Sequence, residues 1–139
     1  MDNKEDLTLV KNEIEEYFID SEGRKQGEYK QYESVTGKIL EISNYVDNNK
    51  DGEHIKYRYN TNNIWFQFNY RKNLLYGQCI WYYFSGRKEL EGNYVDGKEE
   101  GYWFEYENEE NVIPKIIYYE NGIQCDPPSI EVKNARKKI

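Results

Sequence analysis

The sequence predicts an all-β protein, an elongated single antiparallel sheet built from four tandem β-hairpin repeats of about 25 residues. A glycine recurs at Gly27, Gly52, Gly77 and Gly101, and a tyrosine follows each of these repeat glycines five residues later. A fixed period between about 20 and 50 residues is the signature of a repeat architecture. Between the turn signals run segments of about eight residues rich in Tyr, Trp, Phe and Ile, which is the composition of strands.

The first 18 residues depart from the repeat and are predicted to cap the first hairpin. Four apolar residues, Leu7, Val10, Ile14 and Phe18, are three or four positions apart, as on one face of an α-helix. Asp2 or Asn3 stands where the N-cap of such a helix is expected. A short N-terminal helix over the edge of the sheet is therefore expected, with a strand over "LTLV", residues 7–10, as the alternative.

Residues 19–124 form the predicted hairpin array. Four residues before the repeat glycines stand Gly23, Asn48, Asn73 and Gly97, which we call the left-handed column. Glycine and asparagine adopt positive φ most readily, so this column predicts a recurrent left-handed turn. A second turn is expected about ten residues after each repeat glycine. The turns then fall near residues 23, 36, 48, 62, 73, 86, 97, 110 and 122, which gives at least eight strands.

The repeat glycines and the side chains beside them are expected to build the sheet. A strand glycine lets a neighbouring ring lie across the backbone, or lets the strand kink and coil. Two residues after the repeat glycines stand Tyr29, His54, Cys79 and Trp103. We expect these positions to be core, because a thin sheet obtains its buried area from wide side chains. His54 and Cys79 are accordingly interpreted as core positions rather than as a base and a nucleophile.

The C-terminal end is predicted to leave the sheet. Pro127 and Pro128 stop the final strand, and residues 125–139 form a basic tail with Lys133, Arg136, Lys137 and Lys138. The segment "IIYY", residues 116–119, is apolar and lightly charged, so its edge requires a covering segment or a second chain. We expect a monomer or a weak dimer.

A family resemblance rests on two features of the repeat. One is a glycine followed by an aromatic residue two positions later and a tyrosine five positions later, and the other is the linker "YVDGKEEG", residues 94–101. The pattern resembles the MORN-repeat variant family, which includes the YwqK-type antitoxin-like proteins. The resemblance covers roughly residues 17–124, as four full copies with a half copy at each end. Two of the copies have asparagine in place of the linker glycine. The resemblance implies protein binding or, as in a eukaryotic branch, lipid or protein scaffolding, and it brings no catalytic motif.

The sequence gives no support to an enzyme. The GxGxxG, Walker, GxSxG and HExxH motifs do not occur in it, and the two cysteines and single histidine lack the paired spacing of zinc ligands. We therefore expect no catalytic residues, no cofactor and no metal. Two cysteines favour a reducing cytoplasm over a disulfide framework. No apolar run approaches the ~20 residues of a membrane span, and the N-terminus does not resemble a signal peptide.

Negative charge is concentrated in one stretch. The chain carries a net charge of −7, and residues 89–110 hold nine acids against a single base, Lys98. Such a field repels nucleic-acid phosphates and steers basic proteins towards the chain, whereas exposed rings provide contact area at low entropic cost. An ordinary solvated edge that discourages aggregation is the alternative. The predicted partner-binding residues are Trp81, Tyr83, Tyr102, Trp103, Glu105, Glu107, Glu109 and Glu110. Because side chains alternate along a strand, at most half of these rings can share the partner's side.

The leading functional hypothesis is a non-enzymatic protein-binding module that neutralises a toxic effector, like an antitoxin or immunity protein. One alternative is a phage-type inhibitor of a host defence nuclease, similar to an anti-CRISPR protein, acting through the same acidic face. A second alternative is a lipid or protein scaffold, although an anionic membrane repels the acidic body of the chain. The expected partner in the leading hypothesis is a basic protein, with no direct nucleic-acid or membrane contact.

Overall fold

The computed structural model describes residues 6–129, which form one open antiparallel sheet. Its strands are β1 (Thr8–Lys11), β2 (Glu15–Ile19), β3 (Gly27–Tyr32), β4 (Ile39–Val46), β5 (Asn49–Lys50), β6 (Gly52–Tyr57), β7 (Ile64–Arg71), β8 (Leu74–Leu75), β9 (Gly77–Tyr82), β10 (Lys88–Val95), β11 (Lys98–Glu105), β12 (Lys115–Glu120) and β13 (Ile123–Cys125). Strands follow one another across the sheet in chain order, with β5 and β8 as short extensions paired to β4 and β7. This topology confirms the predicted all-β hairpin array.

A hairpin occupies the N-terminal segment, so the predicted helix is wrong. β1 pairs with β2 in antiparallel register, with Val10 opposite Tyr17. The alternative strand over residues 7–10 is close to the observed one. Between the two strands, the side-chain oxygen of Asn12 accepts hydrogen bonds from the backbone N–H groups of Ile14 and Glu15, each 2.9 Å long. Because the Asn12 side chain stabilises a turn at this point, the chain reverses direction between Val10 and Ile14 and does not continue as a helix. The proposed helix caps, Asp2 and Asn3, lie outside the described residues.

The left-handed column is confirmed at all four positions. Its φ angles are 77° at Gly23, 64° at Asn48, 67° at Asn73 and 81° at Gly97. The asparagines also link neighbouring repeats, because the Asn48 and Asn73 side-chain oxygens each accept a hydrogen bond of 2.7 Å from the backbone N–H of Lys25 and Lys50 respectively. The turns of this rim therefore stack on one another, and each predicted turn coincides with an observed one.

Of the two roles expected for the repeat glycines, the structure shows the kink of the strand and not the close approach of a ring. All four have positive φ, between 77° and 105°, and a Cβ at Gly27 or Gly101 would meet no atom of the described residues within 4 Å. They kink the strand, and the second and third copies are interrupted just before the glycine, at Asp51 and Tyr76. The close ring approach occurs elsewhere, at Gly92, where a Cβ would lie 2.1 Å from Cδ2 of Trp103.

The core prediction is confirmed on one face of the sheet. Two residues after the repeat glycines, the exposed fractions are 8% at Tyr29, 6% at His54, 1% at Cys79 and 3% at Trp103. Large and small side chains complement each other across strands. Continuing the register in which Ile42 pairs with Ile55 places Ser43 opposite His54, just as Gly92 accommodates Trp103. In both pairs a large buried side chain packs against a small residue on the neighbouring strand, although the residues differ.

Aromatic contacts run across the same face. Ring centroids lie 5.7 Å apart for Tyr17 and Tyr29, 5.9 Å for Tyr29 and Tyr45, and 5.1 Å for Tyr94 and Trp103. These distances are in the range of favourable tilted and edge-on ring pairs. The expected cross-strand ladder is therefore present.

At the C-terminal edge, β13 pairs with the second half of β12, from Tyr118 to Glu120. The apolar "IIYY" segment is thus covered in part by the chain itself, and the N-terminal hairpin lies at the opposite edge. The basic residues Lys133, Arg136, Lys137 and Lys138 lie outside the described residues. Within residues 6–129 there is no helix with the length and apolarity needed to cross a membrane.

Candidate partner-binding surface

The loop between β11 and β12 departs from the repeat. It spans residues 106–114, whereas the corresponding loops of the three preceding repeats span residues 33–38, 58–63 and 83–87. Asn111 adopts a left-handed φ of 59°, and Pro114 precedes the next strand. The extra residues include Val112 and Ile113, which are 42% and 89% exposed. Irregular loops on a regular scaffold are where binding residues concentrate.

This loop forms one wall of a groove of about 620 Å³, which we call the acidic groove. It is lined by Trp81, Tyr83, Glu89, Leu90, Glu105, Tyr106, Glu107, Val112, Ile113 and Lys115. The Trp81 ring is held by its neighbours, with its centroid 4.7 Å from that of Phe68 and 6.3 Å from that of Trp103. Trp81 therefore presents a partly exposed ring that is supported from the core side.

Hydrogen bonds hold the loop against the preceding hairpin. The Tyr83 hydroxyl donates to the backbone carbonyl of Tyr106 at 2.7 Å, and the backbone N–H of Tyr106 donates to the carbonyl of Glu89 at 2.8 Å. Burial, followed by the negative charges of Glu89, Glu107 and Glu105, raises the pKa of Tyr83 above its ordinary value. Three carboxylates thus act on one phenol in the groove.

Two further contacts tie the tip of the loop to the third repeat. The Ser85 hydroxyl lies 2.6 Å from the side-chain oxygen of Asn108, and the Arg87 guanidinium lies 3.0 Å from Glu110. The Glu110 carboxylate is thereby engaged with a base that stands outside residues 89–110.

The spatial distribution of charge differs from the distribution along the chain. Besides Glu110, two more of the nine acids have basic neighbours from outside the stretch: Glu91 lies 2.8 Å from Lys88, and Glu105 lies 3.7 Å from Lys115. Among residues 6–129, neither Glu89 nor Glu107 has an ion-pair partner. The lining of the groove therefore contains three carboxylates and one ammonium group, a formal charge of −2.

The structure brings together four of the eight predicted partner-binding residues, Trp81, Tyr83, Glu105 and Glu107, in the acidic groove. Tyr102 is 44% exposed but points to the other face, where its ring lies 5.0 Å from that of Tyr118. The expectation of an exposed ring at Trp103 is wrong, since the absence of a side chain at Gly92 lets this ring sink into the sheet. Glu109 and Glu110 are exposed on the loop, outside the groove.

The sequence interpretation missed several lining residues, above all Leu90, Val112 and Ile113. Leu90 lies on a different hairpin from the loop, so only the fold brings it to the site. A signal for the other two does exist in the sequence. The fourth loop is longer than the three before it, and two adjacent apolar residues precede Pro114 at its end, whereas the last three residues of the other loops are polar or glycine.

The single histidine and the two cysteines of the chain do not line the groove. Cys79 is buried, and burial raises the pKa of its thiol to about 12. His54 Nε2 lies 2.8 Å from Glu41 Oε1, close enough for an ion pair although it is not aligned for a hydrogen bond. In the described part of the chain, no three His, Cys, Asp or Glu side chains converge as a metal site would require.

Comparison of the chain with protein-family models and with curated proteins gave no match. The resemblance to MORN-repeat variants therefore stays a prediction from the sequence, and function has to be argued from the surface itself.

Proposed function

We propose that this protein is a non-enzymatic binding module that neutralises a basic effector protein by holding it in the acidic groove. One observation carries the proposal. The carboxylates of Glu89 and Glu107, which have no ion-pair partner among residues 6–129, converge with the rings of Trp81 and Tyr83 at the point where the repeat is broken by a long loop. The rest of the array serves as the rigid support of this site.

The groove combines the two features that a basic partner requires. Carboxylates without a local counter-ion steer a positively charged protein during encounter and discriminate against acidic partners. Partly exposed Trp and Tyr rings provide contact area with little loss of conformational entropy, which slows dissociation. The exposed apolar side chains of Val112 and Ile113 extend this contact area on the loop.

Direct neutralisation, as by an antitoxin or immunity protein, is the role that such a surface supports best. A module with a preformed binding groove blocks its target by occupying it and requires no chemistry of its own. Both cysteines, Cys79 and Cys125, are free thiols, in keeping with action in a reducing cytoplasm.

The proposal is tested in two stages. The tagged protein is first used to capture partners from its native cell, and these are identified by mass spectrometry. Association of a captured protein is then followed by stopped flow between about 0.01 M and 0.15 M salt, over which the Debye length falls from about 30 to 8 Å. The double variant Glu89→Gln/Glu107→Gln should associate more slowly than the wild type and with a weaker dependence on salt.

A charge-matched control is available in Glu13→Gln/Glu53→Gln, which removes two exposed carboxylates away from the groove and its loop. This variant should retain the association rate of the wild type within about twofold. Equal slowing of both variants would show that only net charge matters, and an unchanged rate in the groove variant would contradict the proposed function.

A further inference from the structure

One column of side chains links each repeat to the next. Six residues after the repeat glycines stand Glu33, Arg58, Tyr83 and Glu107. The first three each reach the following repeat's loop region. Glu33 accepts a hydrogen bond from the backbone N–H of Asn60, Arg58 donates to the Tyr82 carbonyl at 2.8 Å, and Tyr83 donates to the Tyr106 carbonyl at 2.7 Å.

Glu107 is the last member of this column. The array ends in the half copy formed by β12 and β13, so the described residues provide no further loop for Glu107 to reach. Its carboxylate lines the acidic groove instead, in a position that its equivalents use for a contact between repeats. The Glu107 carboxylate is therefore a hydrogen-bond acceptor for which the described residues provide no donor from a following repeat.

The second and third repeats already hold a positively charged group close to two aromatic rings. The guanidinium carbon of Arg58 lies 5.6 Å from the ring centroid of Trp65 and 5.7 Å from that of Phe84. These distances are within the range of a cation–π contact. The chain thus holds a guanidinium group between two rings one repeat before the groove.

We propose that the acidic groove takes the guanidinium group of an arginine side chain from a basic partner protein, between the Trp81 ring and the carboxylates of Glu105 and Glu107. This inference rests on the proposed function and names the group that the surface recognises. Arginine suits the site better than lysine, because its guanidinium is planar, weakly hydrated and able to stack on a ring while donating to carboxylates. A groove of about 620 Å³ has room for this side chain and for part of the residue beside it.

The test uses the full-length protein and N-acetyl-arginine N-methylamide as the probe, with the citrulline analogue as an uncharged isostere. The three tryptophan indole N–H signals are followed by NMR in ¹⁵N-labelled protein, since Trp65, Trp81 and Trp103 lie at different sites. The arginine probe should shift the Trp81 signal in a saturable way and leave the Trp65 signal unchanged. Binding should weaken at least fivefold in Glu105→Gln/Glu107→Gln and by less than twofold in Glu13→Gln/Glu53→Gln.

Two results would overturn the inference. The citrulline analogue could bind as well as the arginine probe, which would show that charge is not recognised. The Trp65 and Trp81 signals could shift alike, which would show diffuse attraction to an acidic chain.

The test separates this inference from the proposed function. If the arginine probe does not bind, while association of a captured basic protein still depends on Glu89 and Glu107, the guanidinium site is wrong and the proposed function stands. Saturable binding of the probe at Trp81 without any captured basic protein would support the guanidinium site and count against the proposed function.

Discussion

Replacing Gly92 by Ala tests how the buried face of the sheet is packed. An alanine Cβ at this position would lie 2.1 Å from Cδ2, 2.3 Å from Cε2 and 2.6 Å from Cε3 of Trp103. Gly92 has no positive φ, so the backbone accepts alanine and the cost comes from the ring. Overpacking a core costs roughly 1–3 kcal/mol, occasionally more, and displacing a buried indole belongs at the upper end. We expect a loss of about 3 kcal/mol, or about 10 °C in Tm for a chain of this length.

The assay is urea unfolding followed by circular dichroism, with Ser43→Ala as the matched control. Ser43 holds the corresponding position opposite His54 and is fully buried, and its hydroxyl has no hydrogen-bond partner within the described part of the chain. Its replacement by Ala should therefore change the free energy of unfolding by less than about 1 kcal/mol. The double variant Gly92→Ser/Trp103→His reproduces the Ser43–His54 pair, so the two substitutions should show a favourable coupling of at least about 1 kcal/mol.

If Gly92→Ala unfolded with the same urea midpoint as the wild type, the close approach of Trp103 to this strand would be refuted. Additive losses in the double variant would refute the volume compensation between repeats, even if each single variant were destabilised.

Other predictions concern the turns, the pH dependence and the assembly of the chain. Gly97→Val should lower the free energy of unfolding by about 1–3 kcal/mol, because a β-branched residue is strained at the φ of 81° found there, and an unchanged Tm would contradict the left-handed turn. The interaction with His54 lowers the pKa of Glu41 below its ordinary value of 4.5, so its contribution is complete above that pH and is lost as the pH falls through the lowered pKa. Thermal melts should therefore show stability falling less steeply below about pH 4.5 in Glu41→Gln than in the wild type, and parallel curves would contradict the pair. Light scattering should show a monomer or a weak dimer at micromolar concentration, whereas a tight tetramer would contradict the covered C-terminal edge.

The hairpin array could be predicted because its signals are local and repeated. Each turn of the left-handed column depends on a residue that tolerates positive φ, such as Asn73, and the spacing of these residues determines strand length and register. The N-terminal segment shows where this reasoning is ambiguous. Val10 and Ile14 match helical spacing, yet a turn capped by Asn12 separates them, and tertiary pairing with the first repeat decides in favour of strands.

The site could be predicted only in part, because it is assembled across hairpins. Residues of one strand or loop, such as Glu105 and Glu107, could be recognised by their charge alone. Their actual environment depends on Leu90 and Lys115, which only the strand register brings beside them. The burial of Trp103 likewise follows from the glycine on the neighbouring strand and not from any property of its own segment.

Site-specific photo-cross-linking in the native cell tests most directly whether the acidic groove binds a basic protein. The photoreactive residue p-benzoylphenylalanine replaces Ile113 on the groove loop or, as the control, Val35 on the loop of the first repeat; the native side chains are 89% and 84% exposed. We expect a discrete cross-link to a basic protein from position 113, which disappears with Glu89→Gln/Glu107→Gln, and no such cross-link from position 35. Equal cross-linking from both positions, or capture of acidic proteins from position 113, would contradict it.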